Sequence, residues 1–204
     1  VTGNYYGAFQ GTAQVQWQRL YTGGQARYQF KLQLKADMLP AKSLTSQGLI
    51  TENGLVPQVY EELLSHRRDV RIGTHDIILN NGQHVPRPDD VQDFASQVIE
   101  LAHRFATGQV QFTPGGSVHL WIARTTGVDE WVYDMLGRDT IVLPHLGGTV
   151  QTIHLKPRRL NRPDSPLSIE IWLAPDLQYL PVRLLITQGV GKSADLRVDT
   201  IRQE

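Results

Sequence analysis

No cysteine occurs among the 204 residues, and that absence removes disulfides, thiolate nucleophiles, Cys-ligated zinc and iron–sulfur clusters together. It leaves the compartment open, because cysteine-free chains occur in oxidising and reducing surroundings alike. A surplus of one charge is also missing. Twenty Lys and Arg balance twenty Asp and Glu without a run of like sign, so no net field attracts a phosphate backbone and nucleic acid is not an expected partner. No apolar stretch approaches the roughly 18 residues of a membrane span. Linkers and internal repeats are absent as well; the glycine doublets recur, but their flanks do not resemble one another. With 40% of residues apolar, the chain can bury a sizeable core, and one domain over residues 1–204 is the expectation. It opens at Val1 without a methionine, which fits a processed mature protein or a trimmed one.

Against these absences one helix stands out. Val91, Phe94, Ala95, Val98, Ala102 and Phe105 recur at three- and four-residue steps, which places them on one helical face, with Gln92, Asp93, Gln97, Glu100 and Arg104 opposite. Asp89 as N-cap and Gln92 three positions later have capping-box spacing, and Pro88 precedes them. His103 and Arg104 suit the carbonyl end, Glu100 and Arg104 form the favourable i, i+4 pair, and Gly108 can take the left-handed closing position. The spacing therefore predicts a helix over Val91–Phe105.

Most other apolar residues alternate. Tyr28, Phe30, Leu32, Leu34, Ala36 and Met38 interleave with Gln29, Lys31, Gln33, Lys35 and Asp37, a period of two with one buried face. Similar alternation occurs at Val118 to Ile122, Leu167 to Leu173 and Val182 to Ile186. Gly23-Gly24, Asn53-Gly54, Asn81-Gly82, Gly115-Gly116 and Gly147-Gly148 can each supply hairpin turns. Roughly nine to twelve strands are expected. Pro57 to Asp69 departs from the pattern, since Val59, Tyr60, Leu63 and Leu64 have helical spacing and propensity favours helix there. A lone amphipathic helix among strands must bury its stripe on sheet. The expected fold is mainly β: a curved antiparallel sheet or half-barrel with the helix packed on its concave side.

The catalytic constellations are weak. Gly189-Val190-Gly191-Lys192-Ser193 resembles the end of a phosphate-binding loop, but Ile186 stands where the first glycine is required and no helix pattern follows, so it reads as a hairpin turn. His66-Arg67-Arg68-Asp69 lacks the glycine-rich loop and DFG triplet of a kinase and reads as a solvated charged segment. No two of the seven histidines lie two, three or four apart; a turn at Asn81-Gly82 sets His84 opposite Leu79, and one at Gly147-Gly148 sets His145 opposite Val150, so no metal is expected. No serine sits in a nucleophile elbow. His75-Asp76 point to opposite faces of a strand, and pairing Asp134 with His119 needs a special register. Glu170 reads as solvent-facing. No catalytic residue and no cofactor is expected. The aromatic set Trp17, Tyr28, Phe30, Trp121, Trp131, Tyr133 and Trp172 can fill a core or line an apolar site. Because one helix covers only part of a large sheet, Tyr28, Phe30, Leu32, Leu34, Phe94, Val98 and Phe105 are the expected apolar lining of a ligand site.

Trp172-Leu173-Ala174-Pro175-Asp176-Leu177, followed by Tyr179-Leu180-Pro181-Val182-Arg183, resembles the C-terminal signature of the exported proteobacterial family known as domain of unknown function 3108 (DUF3108). Ser46-Gln47-Gly48, Gly54-Leu55-Val56-Pro57, Gln92-Asp93 with Ser96, and Gly147 match in order, so the likeness runs over residues 10 to 200; where family members carry a polar-basic pair, this chain has Phe94-Ala95. The resemblance implies an exported precursor, a periplasmic location, a half-barrel similar to the lipoprotein-carrier type, and strand at Pro57 to Asp69. It carries no catalytic residues. The expected function is a periplasmic binding or carrier module for an apolar, lipid-like envelope ligand, without catalysis. Its partners would be an apolar small molecule or lipid and an envelope protein. The competing readings are an envelope enzyme with a site assembled from distant strands and a structural adaptor pairing through a sheet edge.

Overall fold

A computed structural model describes residues 1–4, 7–36, 39–143, 148–160 and 167–202. The chain is mainly β, 67% strand, with one α-helix among the described residues. In chain order the strands are β1 (Thr2–Asn4), β2 (Ala8–Thr22), β3 (Gln25–Ala36), β4 (Leu39–Thr51), β5 (Gly54–Leu63), β6 (Arg67–Ile72), β7 (Asp76–Ile78), β8 (His84–Pro86) and β9 (Gln92–Asp93). After α1 (Ser96–Ala106) come β10 (Ser117–Arg124), β11 (Gly127–Leu143), β12 (Gly148–Arg159), β13 (Leu167–Ala174), β14 (Leu180–Gln188) and β15 (Ser193–Arg197). Among the described residues there are fifteen strands, more than the expected nine to twelve, because β1, β7, β8 and β9 are two or three residues long, too short to show a period.

The residues form two compact units. The first comprises residues 11–100 and 120–131. Its strands follow the order β8-β7-β6-β5-β4-β3-β2, all antiparallel, while β9 pairs parallel with β10. The alternation in β3 places Tyr28, Phe30 and Leu32 in the core as expected; Leu34 and Ala36 are only half-buried, and Met38 lies outside the described residues. Gly23 and Gly24, both at positive φ, close the β2–β3 hairpin with Thr22 opposite Gln25.

Pro57 to Asp69 is strand, turn and strand rather than helix. Tyr60 lies between Ser46 on β4 and Val70 on β6, so pairing on both sides satisfies its backbone and overrides a weak helical propensity. The Asn81-Gly82 turn contains one residue more than expected. Leu79 N–H bonds Gln83 O, which brings His84 opposite Ile78, not Leu79.

The second unit comprises residues 1–10, 101–119 and 132–204. Its strand order is β2-β1-β15-β14-β13-β12-β11, and Ile141, Leu143, Trp172, Ala174 and Val182 form a core cluster. Phe105, in the last turns of α1, stacks on Tyr179 at 5.6 Å. Gly108 takes positive φ after the helix, as expected. Gly115-Gly116 leads into β10 rather than joining two strands of a hairpin. Gly189 to Lys192 is the turn between β14 and β15, with Gln188 N–H on Lys192 O at 2.8 Å; Gly147 and His145 lie outside the described residues.

Candidate functional site

The helix begins at Ser96, five residues later than the spacing predicts. Gln92-Asp93 are strand paired with Ile122-Ala123, and the capping box moves to Asp93 and Ser96. Asp93 Oδ1 accepts the N–H groups of Ala95 and Ser96 at 2.8 and 2.7 Å, while Ser96 Oγ accepts the Asp93 N–H at 2.9 Å. This is the reciprocal geometry of a box, made by a different pair from Asp89 and Gln92. Asp89 is exposed.

Of the polar residues assigned to the outer face of the helix, Arg104 is half-buried and the other four are in fact buried. Gln92, Asp93, Gln97 and Glu100 are all shielded from water, because each satisfies a backbone or side-chain group of the fold. Glu100 Oε2 accepts the Leu55 N–H at 2.8 Å, and the Gln92 amide donates to Leu55 O at 2.9 Å. Gly54 makes the first approach feasible. A Cβ there would stand 2.6 and 2.7 Å from the two Glu100 oxygens, and its φ is +125°. Gly54→Ala is expected to cost at least about 2 kcal/mol, read as a lower urea midpoint.

Asp93 is also the end of a hydroxyl chain. Ser46 donates to Asp93 Oδ2 at 2.5 Å, and Tyr28 O–H lies 2.9 Å from Ser46 Oγ. Burial raises the Asp93 carboxyl to about 6, against the opposing pull of its hydrogen bonds. Burial, and next the Asp93 charge, likewise raise the Tyr28 phenol. A buried carboxylate bound to a serine and helix-start amides has the donor pattern of a cap, and its enclosure denies a substrate access to Ser46.

Around this polar knot lies the apolar face. Across β2 to β6, Trp17, Phe30, Ser46, Tyr60 and Val70 stand in register and share a face. Phe30 is 2% exposed and Tyr60 and Val70 are fully buried, whereas Trp17 is 41% exposed. The adjacent row repeats the change, from buried Leu32 and Leu44 to Val15 at 53%. Trp17 stacks on Tyr28 at 5.3 Å. Phe94 and Val98 are buried, and Phe94 meets the fully buried Trp131 edge-on at 6.1 Å. Of the expected lining, the first unit therefore holds Tyr28, Phe30, Leu32, Phe94 and Val98 as core and Leu34 half-buried, and Phe105 belongs to the second unit. Sequence reasoning missed Val15 as part of this face. The available signal was the short alternation Gln14, Val15, Gln16, Trp17, Gln18.

The second unit carries its own polar cluster. His154 stacks on Trp172 at 4.0 Å and pairs with Glu170 at 2.8 Å; Trp172 Nε1 donates to Asp139 at 2.7 Å, and Arg183 covers the indole at 4.3 Å. Arg183 in turn grips Asp195 through two hydrogen bonds. Glu170 is thus largely enclosed between His154 and Lys156, not solvent-facing as expected. Among the described residues, no group of three or more His, Asp or Glu side chains is placed to hold a metal. Asp76 pairs with His84, and Asp134 with Arg158.

Two parts of this geometry use the sequence blocks noted above: Ser46, Gly54-Leu55 and Gln92-Asp93 with Ser96 converge on one knot, and Trp172 to Arg183 frames the other cluster. The family model described as "Protein of unknown function (DUF3108)" matches residues 4–197. The chain belongs to that family. No curated protein matches it. Among solved structures it is similar to a beta-barrel-like protein of domain of unknown function DUF1849 from Brucella abortus, with a TM-score of 0.55, 8% identity, and coverage of 94% of this chain and 87% of that one. At this identity the likeness shows fold alone: this DUF3108 chain has a β-barrel-like fold. No helix among the described residues is long and apolar enough to cross a membrane.

Proposed function

We propose that this DUF3108 chain is a periplasmic binding module for an apolar, lipid-like envelope ligand, and that it performs no catalysis. The observation that supports this reading is the change in burial along one continuous face, covered on β3 to β6 and open at Val15 and Trp17 on β2. A strand that interleaves apolar residues on such a face with glutamines on the other leaves a shelf on which an acyl chain can lie against Trp17 and Leu34. The periplasmic setting rests on the exported character that the family resemblance implies.

The test is titration of delipidated protein with a fluorescent fatty acid at low and high salt. Binding by apolar burial is expected to survive salt, whereas attraction between exposed charges is screened. Replacing Val15 and Trp17 together by Ser is expected to weaken binding about tenfold or more. No binding above that of an unrelated β protein would overturn the proposal.

A further inference from the structure

The edge of β2 is as informative as its face. Within the first unit Gly11 to Thr22 pair with β3; on the other side β1 covers β2 only at Ala8 to Gln10. Among the described residues, Thr12 to Thr22 therefore have one edge without a strand partner, and all of them are exposed. Sheet edges are ordinarily protected by short strands, prolines or charges. β8, at the far end of the same strand order, has three residues and contains Pro86. From Thr12 to Thr22 there is no Pro, Asp, Glu or Lys, and Arg19 is the only charged residue.

This edge complements itself. We propose that its occupant is a second copy of the chain, paired β2 to β2 antiparallel about a two-fold axis at Gln16. That register sets Gln16 opposite Gln16, Gln14 opposite Gln18, Val15 opposite Trp17, Thr12 opposite Leu20 and Ala13 opposite Arg19. Three glutamine pairs form an amide ladder on one face, and apolar residues meet on the other. The two arginines stay apart, each facing an alanine. The backbone agrees with the register. Gly23-Gly24 form a two-residue turn in which Thr22 and Gln25 are the flanking pair, so even-numbered residues of β2 bond to β3 and the odd-numbered residues direct N–H and C=O to the open edge. Val15 and Trp17 would then exchange hydrogen bonds with the second copy, and Gln16 would meet its equivalent in a non-hydrogen-bonded pair. The axis is normal to the sheet, so the open faces of both copies lie on the same side.

Two measurements test this, and neither alters Val15 or Trp17, so they succeed or fail independently of ligand binding. In sedimentation equilibrium the protein is expected to dimerise; at low salt Ala13→Lys, which faces Arg19 of the other copy twice, should raise the dissociation constant about fivefold or more, and Ala13→Glu should lower it by a similar factor. High salt should bring the three proteins together. Because the chain has no cysteine of its own, Gln16→Cys gives a clean second readout. Its Cα is expected about 4.5 Å from its equivalent, within disulfide range, so mild oxidation should yield a covalent dimer, while Val190→Cys, fully exposed at the β14–β15 turn, should not. A monomer at every concentration, or a dimer indifferent to the sign at position 13 with no excess cross-linking through position 16, would overturn the proposal.

Discussion

Raising the pH from 4 to 7 is expected to remove about 2–3 kcal/mol of stability through Asp93. Its carboxyl sits at about 6 in the fold against an ordinary value of 3.8, so the folded protein binds the proton more tightly than the unfolded chain. The corresponding stability is complete below 3.8 and is lost as the pH climbs through 6. Structure permits both protonation states. With Asp93 ionised, Ser46 donates to it; with Asp93 protonated, the carboxyl can donate to Ser46 and the hydroxyl chain reverses toward Tyr28, while Oδ1 still caps the helix. Asp93→Asn copies the protonated arrangement and is expected to flatten the slope over this interval. Asp93→Ala strands the Ala95 and Ser96 amides and the Ser46 hydroxyl, and should cost about 2–4 kcal/mol at pH 7. Urea unfolding of the three proteins at pH 4 to 7 reads both effects, and an unchanged slope in Asp93→Asn would refute the assignment. Asp195 acts in another window. Burial would raise it, but hydrogen bonds from Arg183 and Arg197 outweigh burial and hold it below the ordinary value, so its contribution is lost only under more acidic conditions.

The second large effect is expected at Phe94. Its ring is enclosed and packs edge-on against fully buried Trp131, so Phe94→Ala should cost about 3–5 kcal/mol, measurable by chemical denaturation. The same substitution separates core from ligand site. Were Phe94 the wall of an acyl pocket, stability would fall less and the fluorescent probe would be released; with the open shelf on β2, the folded fraction of Phe94→Ala should retain probe affinity that the Val15 and Trp17 replacements lose.

The legible parts of this protein were those with long local periods. Tyr28 to Leu32 announced a half-buried strand because three successive apolar residues share one face, and Val98 to Phe105 announced a helix because 3.6-residue spacing persisted over two turns. The spacing places the start of that helix five residues early for a specific reason: Asp89 and Asp93 are both competent caps, and pairing of Gln92-Asp93 with β10 decides between them. At Pro57 to Asp69 local propensity favours helix while the family resemblance implies strand, and the structure agrees with the resemblance: Tyr60 is held between Ser46 on β4 and Val70 on β6 by the two neighbouring hairpins, pairings that the helical spacing of Val59, Tyr60, Leu63 and Leu64 does not reveal. The candidate site was legible only in part. The alternation of Phe30 and Leu32 marks one apolar face, but whether such a face is covered or open depends on what lies above it, and the short alternation at Val15 does not show that.

By itself the sequence determined the mainly β class, the single amphipathic helix, the absence of thiol chemistry and, through its family blocks, membership of DUF3108. Composition and short-range periodicity suffice for these because they follow from local sterics and from which residues exist at all. Tertiary structure alone decided that Gln92, Asp93 and Glu100 are buried, that Ser46 and Asp93 are bonded across 47 residues, and that β2 keeps an open edge and an open apolar face. Those outcomes depend on partners brought together by long-range strand pairing, and the polarity of a side chain does not reveal which buried backbone group it will be required to satisfy.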